Sequence, residues 1–91
     1  MSAPYERRSL AFDGKAVLVY VDAPPRIARP FLARSQGATL AAQEEGASET
    51  EYIERIQQAA AEMGLVATLQ RVNDREIVFD VKPLPKGKPN R

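Results

Sequence analysis

The chain has 91 residues, 44% of them hydrophobic and 27% charged, with neither cysteine nor histidine. That composition suits one globular domain with a modest core, and it excludes disulfides, thiolate or imidazole metal ligands, a cysteine nucleophile and a histidine base. The formal net charge of +1 conceals a pattern of six basic against three acidic residues over 1–36, one against six over 37–66 and six against three over 67–91, so basic ends flank an acidic middle and present a field to a charged partner.

Residues 1–8 lack the apolar run of a signal peptide and are read as a flexible N-terminus. No apolar stretch anywhere approaches the ~20 residues of a membrane span, and a cytoplasmic location is expected. The single domain is read as 9–82.

Ser9-Leu10-Ala11-Phe12, Asp13-Gly14 and Lys15-Ala16-Val17-Leu18-Val19-Tyr20-Val21 predict a hairpin. Asp-Gly between apolar runs favours a type I′ turn, which needs positive φ at both central residues. A two-residue turn sets Phe12 opposite Lys15 and Leu10 opposite Val17. Leu10, Phe12, Val17, Val19 and Val21 then share one face, and Ala11, Ala16, Leu18 and Tyr20 share the other. A second strand apolar on both faces belongs in the middle of a sheet, or uses one face for a partner.

Asp22-Ala23-Pro24-Pro25 ends that strand. Residues 26–46 admit two readings. Pro30 suits the first turn of a short helix that stops at Gly37, followed by another over 38–45 that stops at Gly46. Equally, the segment reads as a long loop with helical turns.

Ser48-Glu49-Thr50-Glu51 is a capping box, and its glutamates suit the positive end of a helix dipole. Tyr52, Ile53, Ile56, Ala59, Ala60 and Met63 form a helical stripe, and Gly64 is a natural stop. The helix is placed at 49–63.

A second hairpin follows, with residues 66–72 and 76–82 as strands around Asn73-Asp74. Ile77, Phe79 and Val81 alternate with Glu76, Asp80 and Lys82. A two-residue turn sets Val66 and Val72 on the Phe79 face. A three-residue turn sets Ala67 and Leu69 there, and this register is slightly preferred. Residues 83–91 form a basic, Pro-rich tail expected to be disordered.

The order ββ-α-ββ gives an α+β protein: a four-stranded antiparallel sheet from two hairpins, with the main helix at 49–63 packed on one face.

The sequence offers little chemistry. Asp-x-Asp is absent, as are Gly-x-Ser-x-Gly, Ser-x-x-Lys and every Gly-rich phosphate loop. Gly87-Lys88 has no preceding strand. Tyr5, Tyr20 and Tyr52 have no evident cleft-lining partner and are assigned to packing. No catalytic residue, metal or cofactor is expected, and the protein is read as not an enzyme.

Binding is the better match. Arg26, Arg29 and Arg34 form an acid-free basic stretch around Phe31, and Arg and Phe are residue types that anchor interfaces. Leu18 and Tyr20 add the second face of the over-apolar strand. The expected function is a small interaction module that docks to a protein partner as an inhibitor or adaptor, of the size and composition common among phage and mobile-element accessory proteins. A homodimer is an easy way for so small a domain to bury more apolar surface. The alternative is a nucleic-acid-binding accessory protein that uses Arg71 and Arg75 at the second hairpin turn with Lys86 and Lys88 of the tail. The low net charge and the acidic first turn of the 49–63 helix count against it.

Overall fold

A computed structural model describes residues 6–85. The elements run β1 (Glu6–Phe12), β2 (Lys15–Val21), α1 (Pro25–Glu45), α2 (Glu49–Glu62), β3 (Leu65–Val72) and β4 (Glu76–Pro83). The sheet order is β1-β2-β4-β3, which makes the protein an α+β domain with both helices on one face.

The first hairpin follows its turn chemistry. Asp13 and Gly14 have φ of 52° and 80°, as a type I′ turn demands. Leu10 pairs with Val17 and Phe12 with Lys15, and the antiparallel register continues to Glu6 and Val21. Residues 6–8 are thus strand rather than part of a flexible terminus, because Arg7 and Arg8 complete the ladder with Tyr20 and Val19. Residues 1–5 and 86–91 lie outside the described residues, and with them most of the expected tail.

The sheet is mixed, not antiparallel throughout. β2 and β4 are parallel neighbours, with Val17 beside Ile77 and Val21 beside Val81. The physical reason is burial. β2 and β4 carry apolar residues on both faces, whereas β3 is largely exposed, so the two apolar strands take the centre. They run the same way, and the connection between them takes in α1, α2 and the edge strand β3.

Residues 26–46 form neither a loop nor two short helices. They belong to one 21-residue helix that contains both Pro30 and Gly37 and ends at Gly46 in the left-handed conformation. Pro25 at its start has no donor to lose. Pro30 forfeits a backbone bond on the solvent side, and the loss is outweighed by the face opposite. There Ala28, Phe31, Leu32, Ser35, Thr39 and Ala42 recur at helical spacing and are all buried. Ser35 donates to the carbonyl of Phe31 at 2.8 Å and Thr39 to that of Ser35 at 3.0 Å, so neither buried hydroxyl is orphaned.

The second helix ends within a residue of its expected stop. Ser48 Oγ accepts from the Glu51 amide at 3.2 Å, and Glu51 Oε1 accepts from the Ser48 amide at 2.9 Å. Gly64 follows with φ 74°. α1 lies over β1, and α2 over β3. Tyr52 sits at the centre of the core, stacked on Phe12 at 4.3 Å and edge-on to Phe79 at 6.5 Å.

The second hairpin turns over three residues, Asn73 to Arg75, with Asn73 Oδ1 accepting from the amides of Arg75 and Glu76. Ala67 faces Val81 and Leu69 faces Phe79, as the preferred register requires. A bulge between Leu69 and Arg71 then returns Val72 to a place opposite Ile77. The bulge reconciles the two registers: Ala67, Leu69 and Val72 all lie on the helix side.

Candidate functional site

The helices cover one face of the sheet only, and the other is built from the alternate residues of the same strands. Pairing places them in rows. Arg7, Tyr20, Asp80 and Thr68 form one row across β1, β2, β4 and β3. Ser9, Leu18, Val78 and Arg71 form the next. Ala11, Ala16 and Glu76 form the third. Leu18 and Tyr20 are partly buried without any element above them. Val78 between them and β3 is only 9% exposed. An apolar centre with a polar border on a free sheet face is interface material.

Its charges are largely spent within the chain. Arg71 pairs with Glu76, and Lys82 lies 3.7 Å from Asp80. Arg7 has no ion pair among the described residues. Among the described residues the border is therefore near neutral, with Arg7 as its one cation without an ion pair.

The arginine set of α1 is not assembled into a patch. Phe31 is fully buried and supplies core packing, because it shares the inward stripe with Ala28, Leu32 and Ser35; it is removed from the contact surface. At ~100° per residue, Arg29 and Arg34 lie on opposite flanks of the helix, about 140° apart. Arg29 reaches Glu6 of β1 at 3.5 Å and Arg34 reaches Glu62 of α2 at 2.8 Å. Arg26 is exposed. Each flanking guanidinium thus ties α1 to a neighbour, although exposed pairs of this kind contribute little.

The alternative basic set is also divided. Arg71 is engaged by Glu76, Arg75 lies exposed in the turn, and Lys86 and Lys88 fall outside the described residues.

An open groove of about 640 Å³ runs between the helices, lined by Pro30, Arg34, Ala38, Arg55, Ala59 and Glu62. The charged groups of its rim are self-paired, Arg34 with Glu62 and Arg55 with Glu45, which leaves little free charge to orient a ligand. Among the described residues no three carboxylates gather as a metal site.

Burial pushes the Tyr52 phenol above its ordinary value near 10. Its oxygen and that of Thr39 are 3.0 Å apart. Thr39 spends its only hydrogen on the Ser35 carbonyl, so Tyr52 donates to Thr39 and locks α2 to α1. This is a structural bond between two buried side chains.

Fold and face together define a small α+β domain of ββααββ order in which, among the described residues, the sheet is covered on one side. No family model matches the chain, and neither a curated protein nor a solved structure is significantly similar to it. No helix among the described residues is long and apolar enough to cross a membrane.

Leu18 and Tyr20 could be singled out in the sequence because both parities of β2 are apolar. Val78 and Asp80 could not, because their place beside Leu18 and Tyr20 depends on β4, rather than β3, lying next to β2; Arg7 joins through the first hairpin, whose strand runs back past Ser9 to Glu6.

Proposed function

We propose that the protein is a non-enzymatic interaction module that docks to a protein partner through the open face of its sheet. One observation carries this reading: Leu18, Tyr20 and Val78 form an apolar centre on a sheet face that no element of the described chain covers. A solvated sheet face ordinarily alternates to polar residues. The lack of histidine and cysteine supports binding over catalysis. The arginines of α1 are secondary, since Arg29 and Arg34 are engaged by their own chain.

The test is affinity purification with the wild-type chain and two variants. Leu18→Asp introduces a charge at the centre of the face and should abolish capture while a cooperative thermal transition persists. Charge reversal at Arg26, Arg29 and Arg34 should leave capture in place. If the captured proteins survive Leu18→Asp and vanish on arginine reversal, the docking surface is α1 instead. The nucleic-acid alternative requires retardation of a duplex or single strand at low salt that fades as salt rises. With Arg71 occupied, none is expected.

A further inference from the structure

We infer that the occupant of the open sheet face is a second copy of this chain, stacked face to face about a two-fold axis parallel to the strands and lying between β2 and β4. The inference rests on the reading of that face as a docking surface and goes on to name the partner.

The argument is one of self-complementarity. A symmetric dimer must place one patch on itself, so each group has to meet its complement in the same patch. A two-fold axis parallel to the strands keeps every residue in its row and exchanges the columns. β2 then lies over β4 of the second copy, and β1 over β3. The row pairings fix what meets what. Leu18 lies over Val78 of the second copy, and the reciprocal contact repeats it. Tyr20, whose hydroxyl has no partner among the described residues, lies over the second copy's Asp80. Arg7, which has no ion pair among the described residues, lies over the second copy's Thr68 and beside the same Asp80.

The other in-plane axis, across the strands, keeps columns and inverts rows. It sets Asp80 against Glu76 of the second copy in a drying interface, and like charges there are strongly unfavourable. The charge pattern thus selects one of the two symmetric stackings. Sheets that pack face to face keep their strands within about 30° of alignment, which the selected axis satisfies.

The border argues against a polyanion on this face. It carries Arg7, Arg71 and Lys82 against Glu76 and Asp80, and two of the three cations are paired within the chain.

The area sets the strength. Four strands at ~4.8 Å spacing and about seven residues at ~3.3 Å give a face of roughly 19 by 23 Å. That is below the ~800 Å² per partner of a standard interface. The dimer should therefore be a reversible one that dissociates on dilution.

Sedimentation equilibrium of the full chain, over a dilution series from submicromolar to millimolar protein, reads the result directly. The expected outcome is a monomer–dimer equilibrium. Leu18→Asp should be a folded monomer throughout. Arg7→Glu and Asp80→Arg should each weaken association about tenfold, the scale of a close interfacial charge pair. The double variant should recover most of that loss, because the exchanged charges meet again across the axis. This swap also decides the matter if Leu18→Asp fails to fold.

A wild-type chain that stays monomeric at every concentration overturns the inference. So does a dimer indifferent to Leu18→Asp, or one whose double variant is no better than the singles. If the chain is monomeric but Leu18→Asp still abolishes capture of a different protein, the docking face stands and its occupant is that protein. If Leu18→Asp changes neither readout, the docking reading itself falls.

Discussion

On the helix-covered face of the sheet, Val17, Val19 and Val21 of β2 lie beside Ile77, Phe79 and Val81 of β4, and all six are fully buried. On the opposite face the alternate residues of the same two strands run from exposed Ala16 through partly buried Leu18 and Tyr20 to nearly closed-off Val78. The strands are the same, but the covered face is apolar throughout, whereas the open one sets Glu76 and Asp80 on either side of Val78 and keeps its apolar residues at the centre. The first set accounts for the fold. The second exceeds what folding one chain requires, since a face left to water needs no Leu, Tyr and Val at its centre.

The largest test of this contrast is a pair of truncations. Phe79→Ala removes a buried ring that meets Tyr52 edge-on, and should cost about 3–5 kcal/mol. A 91-residue domain has roughly 5–14 kcal/mol in total, so the variant should be close to unfolding at 37 °C. Leu18→Ala leaves a site already partly open to water and should cost less than about 1.5 kcal/mol. Urea denaturation at high dilution measures both without a contribution from association. Equal costs would mean that the open face is as much a part of the core as the covered one, and the contrast would be lost.

A smaller effect probes the cover itself. Tyr52→Phe keeps the ring stacked on Phe12 but removes the hydroxyl that binds Thr39, for a loss of about 1 kcal/mol. It should also change the response to alkali. The phenol is neutral in the core, and burial raises its pKa above the ordinary value near 10. Stability from the neutral form is thus fully present below pH 10 and is lost as pH rises through the folded value. Wild type should lose stability above pH 10 more steeply than Tyr52→Phe, as followed by urea midpoints across that range. Parallel curves would show that the phenol is not sealed between the helices.

Local signals in the sequence carried the elements whose cause is local. Asp13-Gly14 fixed the first hairpin because few other residue pairs accept two positive φ values, and Ser48 with Glu51 fixed the start of α2 through two side-chain bonds. α1 was hidden because Pro30 and Gly37 argue against a helix interior, while the stripe that favours it includes Ala, Ser and Thr. Those residues register weakly as hydrophobic and count only once their hydroxyls are seen bonded to the preceding turn. The parallel centre of the sheet was hidden for a different reason: which strand of the second hairpin docks on β2 is decided by long-range burial, which no short motif encodes. The docking face shared that fate. Leu18 and Tyr20 were legible in one strand, whereas Val78 and Asp80 joined them only through the order of four, and Arg7 through a first strand longer than its apolar run.

The smallest prediction separates cover from face most cleanly. α1 keeps Gly37 in its interior, where glycine costs a helix about 1 kcal/mol relative to alanine. A Cβ built at Gly37 meets nothing within 4 Å, and its φ is not positive. Gly37→Ala should therefore stabilise the chain by about 0.5–1 kcal/mol, mostly by narrowing the unfolded ensemble, and raise Tm by roughly 3–6 °C. Gly37 lines the groove between the helices, on the far side of the domain from Leu18. If the helices are only a cover, this gain should appear in thermal unfolding and leave the association constant of the open face unchanged. A stabilised variant that also associates differently would mean that the two sides of the sheet are coupled through the core. The face could then no longer be treated as a surface independent of the fold beneath it.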